Sequence, residues 1–354
     1  MHKKITVLPG DGIGPEIIEQ AVRALNTVAS KYGHTFDYTY ALVGAAAIDA
    51  CGDPYPSDTH ALCQSADAIL FGAIGDPKFD NDPTAKVRPE QGLLRMRKSL
   101  GLFANLRPIQ VMPALADASP LKKEKIEGVD FIVVRELTGG IYFGEKGRND
   151  QNDEAFDMCR YSRMEIERVL RMAFELAVGR KNKLTVVDKA NVLETSRLWR
   201  ECAQQLHAAE FPQVEMEFLF VDNAAMQMIT RPSAFDVIVT ENMFGDILTD
   251  EASVITGSLG LLPSASLGSA VGLYEPIHGS YPQAAGKNIA NPLATILSAA
   301  MLLETSFGMK AEATCIREAC EKTISEGIVT EDIAKGKSFS TTQVGDAVCR
   351  YILA

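Results

Sequence analysis

The sequence has no long apolar run, no closely paired cysteines and no excess of positive charge, and each absence removes a class of protein. Its longest nearly apolar stretch, Pro292 to Leu303, falls well short of the roughly 20 residues that cross a bilayer, so no membrane segment is expected. Seven cysteines (Cys51, Cys63, Cys159, Cys202, Cys315, Cys320, Cys349) are scattered singly. There is no Cys-x-x-Cys pair and no histidine at zinc-ligand spacing, which excludes a disulfide framework or structural zinc and favours a reduced, cytoplasmic setting. The two lysines and short apolar run of Met1 to Leu8 stop at Pro9-Gly10, too soon for the core of a signal sequence. Acidic residues outnumber basic ones 46 to 35, for a net charge of -11. Such a surface repels phosphate backbones and anionic lipid, so neither nucleic acid nor membrane is expected as a partner. An anionic small molecule would have to be met by a local basic pocket.

What is present is an ordinary globular composition. With 354 residues, 46% of them hydrophobic and 23% charged, the chain can bury a large core, and its length suggests two domains. Short aliphatic runs alternate with amphipathic stretches throughout, the pattern of an α/β protein with a largely parallel sheet. Strands are expected at Ile5 to Leu8, Ala68 to Ile74, Phe103 to Leu106, Phe131 to Val134, Leu184 to Val187, Glu215 to Val221 and Val237 to Thr240. Ile18, Ala21, Val22, Leu25, Val28 and Ala29 recur at helical spacing behind Pro15, and Ser162 with Glu165 forms a capping-box signature for a helix to about Val178. There is no internal repeat and no linker-like tract. The charged stretch Gly144 to Arg160 breaks the alternation and reads as a protruding arm, with a disordered surface loop as the alternative.

Gly10-Asp11-Gly12-Ile13-Gly14-Pro15 lies between a strand and a helix and invites a dinucleotide-binding reading. A GxGxxG fingerprint starting at Gly10 needs glycine or alanine at the position of Pro15, and no acidic residue clearly ends a second strand about 20 residues on. A tight strand-to-helix turn is the better reading, so any nucleotide must be held by other means. The fold expected is α/β but not a Rossmann fold.

Four groups of residues have chemical potential. Arg97, Arg107 and Arg135 include two at apparent strand ends, Leu106-Arg107-Pro108 and Val134-Arg135-Glu136. Guanidinium forks there suit a polycarboxylate, although each arginine alone reads as well as a surface ion pair. Asp246 and Asp250 stand four apart, on one face of a helix, and Asp222 follows the strand ending at Val221. Hard oxygen donors of this kind suit Mg²⁺ or Mn²⁺, whereas an isolated Asp-x-x-x-Asp is commonly just a solvated face. Lys189 follows another strand, and a nearby cation would lower its pKa and make it a base; Tyr142, in a glycine-rich turn, is a possible proton relay. Finally, the stretch Tyr274 to Ser280 and the stretch Ala284 to Pro292 contain His278, Gly279 and Asn291, suited to a close backbone approach and an adenine edge.

Taken in order, Gly10-Asp11-Gly12-Ile13-Gly14-Pro15-Glu16, Arg135-Glu136-Leu137-Thr138-Gly139-Gly140, Asp188-Lys189-Ala190-Asn191, Gly245 to Glu251 and His278-Gly279 make the chain resemble the isocitrate/isopropylmalate family of β-decarboxylating dehydrogenases. The likeness runs from Ile5 to the carboxyl terminus. It implies a homodimer with shared active sites and a two-domain fold: residues 1–102 plus 255–354 form the first domain, and residues 103–254 form a second inserted into it. The stretch from Gly144 to Arg160 would pair with its counterpart in the partner subunit.

The resemblance also implies roles. Arg97, Arg107 and Arg135 would clamp carboxylates. Asp246 and Asp250 would hold the metal with Asp222 of the other subunit, Lys189, also of the other subunit, would take the hydroxyl proton, and Tyr142 would help reprotonate the product. His278, Gly279, Asn291, Asn191 and Glu275 would contact NAD. In the segment Pro89 to Arg97, Glu90, Leu93 and Leu94, with Val192, would meet the substrate; the apolar Leu93 and Leu94, with Val192, imply an isopropyl γ-substituent rather than a third carboxylate. Gln283 departs from the aspartate of NAD-using relatives, and the Lys-Tyr pair of NADP-using ones is missing at 283 and 284, so NAD is expected. The implied reaction is NAD-dependent oxidative decarboxylation of (2R,3S)-3-isopropylmalate to 4-methyl-2-oxopentanoate and CO2 in leucine biosynthesis. The alternatives are the same chemistry on D-malate or tartrate, or a non-catalytic regulatory subunit.

Overall fold

In chain order the strands are β1 (His2–Gly10), β2 (Thr35–Tyr40), β3 (Ala68–Ala73), β4 (Leu102–Gln110), β5 (Asp130–Glu136), β6 (Lys146–Arg148), β7 (Ala155–Asp157), β8 (Lys183–Asp188), β9 (Glu215–Phe220), β10 (Val237–Thr240), β11 (Pro263–Gly268) and β12 (Gly272–Pro276). This is a computed structural model describing residues 1–80 and 86–354. The chain divides into two compact units, Met1–Leu102 with Gly257–Ala354, and Phe103–Thr256.

In the first unit the strands lie in the order β2-β1-β3-β12-β11. β1 is parallel to both β2 and β3, and β3 to β12; only β11 runs antiparallel, against β12. Every residue of β3 is buried, which is why its sequence is continuously apolar rather than alternating. The long apolar stretch after Pro292 is the helix Leu293–Phe307, buried over nearly its whole surface. A helix that is apolar all round belongs in a core when it is this short. No helix among the described residues is long and apolar enough to cross a membrane. Strands β2, β11 and β12 are additions to the sequence reading. β11, Pro-Ser-Ala-Ser-Leu-Gly, is short and poor in β-branched residues, so propensity gives no signal there.

The glycine-rich start is a turn. Gly10 and Gly12 have φ of 72° and 56°, and the buried Asp11 carboxylate accepts from the backbone N–H groups of Ala45, Ala46 and Gly75 at 2.9, 3.0 and 2.9 Å. The Ile13 N–H donates to Ser280 O at 2.8 Å. A Cβ on Gly12 would stand 2.0 Å from that same oxygen. The turn therefore anchors the loop that follows His278. Gly12→Ala combines a left-handed backbone with a clash against fixed main chain, and should destabilise the protein by about 3 kcal/mol; chemical denaturation reads the difference directly.

In the second unit the order is β4-β5-β10-β8-β9. β5, β10, β8 and β9 are mutually parallel, and β4 runs antiparallel to β5. β4 extends through Pro108 to Gln110, so Arg107 stands within the strand, opposite Val133, and not at its end as the sequence suggested. A proline is tolerated where no ladder bond is asked of its nitrogen. The helix Arg163–Val178 begins at a Ser162–Glu165 capping box. The stretch from Gly144 to Arg160 is ordered as an antiparallel ribbon of β6 and β7, turned by the Asn149 side chain, whose Oδ1 accepts from the N–H groups of Asp153 and Glu154.

Candidate active site

In the second unit the helix Asn242–Ser253 starts from Glu241, whose carboxylate accepts from the Phe244 N–H at 2.7 Å. A Cβ on Gly245 would stand 2.5 Å from Arg135 Cγ, so the glycine lets the arginine stem lie against the helix. Arg135 is buried at 4% exposure. Its Nε and Nη2 donate to Asn242 Oδ1 at 3.1 and 2.9 Å, while Nη1 donates to Asp246. The other Asp246 oxygen accepts from the Tyr142 hydroxyl at 2.8 Å. Burial, with the Asp246 carboxylate beside it, pushes the Tyr142 phenol up to about 12, so it remains protonated at neutral pH.

One turn on, Asp250 is 73% exposed and accepts from Arg107 Nη1 at 3.1 Å. Arg107 is also held by Asn105 Oδ1 at 2.9 Å and Thr249 Oγ1 at 2.7 Å. Two carboxylates and two guanidinium groups thus interleave along one helix face. The arginines offset the repulsion that Asp246 and Asp250 would otherwise feel. These oxygens fit a hard divalent cation in kind, but two side chains are too few to enclose one. No cluster of three or more metal-ligating side chains occurs among the described residues.

Lys189 follows β8, in a turn locked by the buried Asp188, which accepts from Arg200 Nε and Nη2 at 2.9 Å each and from the Ala190 N–H at 3.0 Å. The Lys189 ammonium pairs with Asp222. Asp222 lies in the first turn of the helix Val221–Thr230 rather than at a strand end, because β9 stops at Phe220. Hydrogen bonding from Lys189 holds its carboxyl below the usual carboxylate range. Asn191 and Val192 follow as exposed residues.

In the first unit Arg97, on the helix Pro89–Ser99, donates Nη2 to the buried Glu275 carboxylate of β12 at 3.0 Å. Its Nε is buried with no partner among the described residues. Glu90 is exposed at the start of that helix, Leu93 packs on the core around Leu8, Phe71 and Met96, and Leu94 is half-buried. A groove of about 770 Å³ runs past Ile13, His278, Gly279, Tyr281, Asn291 and Asp332. His278 Nδ1 lies 3.0 Å from Gly279 O, which assigns the proton to Nδ1 and leaves Nε2 an acceptor. That Nε2 is buried without a partner among the described residues, and burial lowers the pKa of the ring, so the histidine is neutral at pH 7. An unpaired buried acceptor costs stability unless a ligand satisfies it. Asn291 Oδ1 accepts from the Leu293 N–H and its Nδ2 donates to Asp332, each at 3.0 Å. Glu275 is engaged with Arg97 outside this lining, and Gln283 is exposed in the turn Pro282–Ala284, also outside it. Asp332, Asn242, Thr249 and Asn105 are functional neighbours that the sequence reading missed; none has a local pattern to mark it.

A profile described as isocitrate/isopropylmalate dehydrogenase matches residues 4–348. The chain belongs to the isocitrate/isopropylmalate dehydrogenase family. It is 58% identical over 354 residues to the 3-isopropylmalate dehydrogenase of Bacteroides fragilis strain YCH46, covering 99% of each chain. It is 57% identical over 348 residues to that of Bacillus subtilis strain 168, covering 97% of this chain and 95% of the relative. Among solved structures, isocitrate dehydrogenase from Methylococcus capsulatus is similar over 100% of both chains, with a TM-score of 0.88 and 33% identity. An apo β-decarboxylating dehydrogenase from Thermococcus kodakarensis is similar with a TM-score of 0.82 and 34% identity, over 99% and 96% of the two chains. Membership of the isocitrate/isopropylmalate dehydrogenase family makes the protein an oxidoreductase, and the family fold spans both of its units.

Proposed function

We propose that the protein oxidises (2R,3S)-3-isopropylmalate with NAD and releases CO2 to give 4-methyl-2-oxopentanoate, a step of leucine biosynthesis. The observation that supports this most is the pairing of Arg135 of β5 and Arg107 of β4 with Asp246 and Asp250 of one helix, with Tyr142 also on the Asp246 carboxylate. It offers guanidinium groups to a dicarboxylate and oxygens to a cation within one turn. Arg97, Arg107 and Arg135 bind substrate carboxylates. Asp246 and Asp250, with Asp222 from a second subunit, would hold Mg²⁺ or Mn²⁺. The chemistry that the cation supplies when held there is polarisation of the C2 oxygen, and that of NAD is acceptance of the C2 hydride. Lys189, once its Asp222 partner is engaged elsewhere, takes the hydroxyl proton. After CO2 departs, Tyr142 returns a proton to C3. Leu93, Leu94 and Val192 favour an apolar γ-substituent over a desolvated carboxylate, with Glu90 on the same helix as the two leucines discouraging an anionic one.

For NAD, the groove is lined by His278, whose buried Nε2 is an acceptor with no partner among the described residues and suits the exocyclic amine of adenine, beside Gly279 and Asn291. Among the described residues its lining includes Glu331 and Asp332 and no lysine or arginine, a poor environment for a 2′-phosphate. By the family resemblance Asn191 would meet the nicotinamide half and Gln283, though outside this lining, the adenosine ribose, while Glu275 would act through Arg97. Protonating His278 turns the acceptor into a donor. The ring pKa lies below its ordinary 6.5, so NAD affinity should hold through neutral pH and fall only as pH drops beneath that value; a calorimetric pH series with a His278→Gln control, which lacks the dependence, checks this.

The homodimer is supported by apolar side chains left exposed on the second unit. Met226 and Ile229 are 59% and 38% exposed, Ile247 and Val254 60% and 53%, and Phe156 of the ribbon 49%. An isolated two-stranded ribbon is marginal in water, and a subunit interface would cover it and these apolar side chains. Seven free cysteines suit the reducing cytoplasm.

Assays of NAD and NADP against 3-isopropylmalate, isocitrate, D-malate and tartrate, with and without chelator, test the reading. The expected result is the highest kcat/KM for 3-isopropylmalate with NAD, abolished by chelation. Faster turnover of isocitrate, D-malate or tartrate would overturn the substrate assignment, and a negligible rate with every acid would point to a non-catalytic subunit.

A further inference from the structure

Tyr281 occupies an unfavourable backbone conformation at the edge of the cofactor groove. Its φ of 38° and ψ of 60° lie in the left-handed region, sparsely populated by aromatic residues, and the following Pro282 disfavours helical conformations further. Such conformations persist only where their surroundings impose them, and they concentrate at ligand clamps. The surroundings are visible here: Ser280 is fixed by the Ile13 N–H, and the Tyr281 carbonyl is fixed by the Ala284 N–H at 3.0 Å. The ring that results is not packed into the core. It is 52% exposed and lines the groove with Ile13, Ile289 and His278.

The groove thus combines a flat aromatic surface and aliphatic walls with His278, whose buried Nε2 has no partner among the described residues. A purine needs those features: apolar contact for its faces and an acceptor for its amino group. We infer that the Tyr281 ring is the stacking surface for the adenine of the dinucleotide, and that the loop's conformation serves to present it. The inference rests on the NAD reading of the groove and extends it to a specificity-determining residue.

Calorimetry with AMP, NAD and nicotinamide mononucleotide on the parent, Tyr281→Phe and Tyr281→Gly tests it. By the strength of base–aromatic stacking, Tyr281→Gly should weaken AMP and NAD by about 5- to 100-fold and leave nicotinamide mononucleotide unchanged. Tyr281→Phe should bind like the parent. The glycine variant should melt at or above the parent temperature, since it relieves the left-handed conformation. In Tyr281→Trp, AMP should quench the added indole emission. The inference is overturned if Tyr281→Gly binds AMP as the parent does, if Tyr281→Phe is as weak as Tyr281→Gly, or if lost binding is matched by a lowered melting temperature. A parent that binds neither AMP nor NAD would overturn the NAD reading itself, and this inference with it.

Discussion

Lys189→Met should turn over 3-isopropylmalate about 10²- to 10⁴-fold more slowly than the parent, the range expected for loss of a general base, with the KM for NAD unchanged. The turn that presents Lys189 is held by Asp188, Arg200 and Ser196, none of which touches the ammonium. Methionine therefore keeps the stem and removes only the nitrogen. Its partner Asp222 is well exposed, so the lost ion pair has little effect on folding. The pair does have a pH signature. Because the folded-state pKa of Asp222 is depressed by Lys189, its small stabilising contribution is present above the ordinary carboxylate range and lost as pH falls through the depressed value; in Lys189→Met that acid dependence should disappear. A variant retaining more than about a tenth of the parent kcat would remove Lys189 from the proton transfer.

Asp246→Asn should lose the cation and the reaction together. Electron paramagnetic resonance should show Mn²⁺ free in solution at concentrations where the parent binds it, and kcat should fall by about 10³-fold or more, as when a principal electrostatic stabiliser is removed. The asparagine can still accept from one donor, but the buried Arg135 loses the carboxylate it pairs with, at an expected cost of about 1–3 kcal/mol. Tyr142 reports the same change independently: its pKa should drop from about 12 because the neighbouring negative charge is gone, which ultraviolet titration detects. Unaltered Mn²⁺ binding in this variant would move the metal site away from the helix Asn242–Ser253.

Periodicity and turn chemistry made much of the scaffold legible. The apolar run of β3 and the Ser162–Glu165 capping box are local features, and local sequence marks them. The proline at 15 was enough to turn the glycine motif from a phosphate loop into a tight turn, and the packing of Gly12 against Ser280 gives the physical reason for the glycine. The interleaving of arginines and aspartates was less legible. That Asp246 and Asp250 share a face follows from their spacing, but the pairing with Arg135 and Arg107 spans 111 and 143 residues. Neutral partners such as Asn242 and Thr249 have no spacing rule at all, and Asp332 reaches Asn291 across 41 residues. Pro108 was misleading, since it suggested a strand end where β4 continues. Tyr281 shows the remaining limit: its conformation is imposed by Ser280 and Pro282 and by a turn at the other end of the chain.

The central claim is that one reaction centre combines Asp246 and Asp250 of one subunit with Lys189 and Asp222 of another. Lys189→Met and Asp246→Asn, each inactive alone, can be unfolded together and refolded as a mixture. Random pairing makes about half of the dimers hybrid, each with one intact centre, so the mixture should recover roughly a quarter of the parent activity. A mixture no more active than its two components would contradict the shared centre.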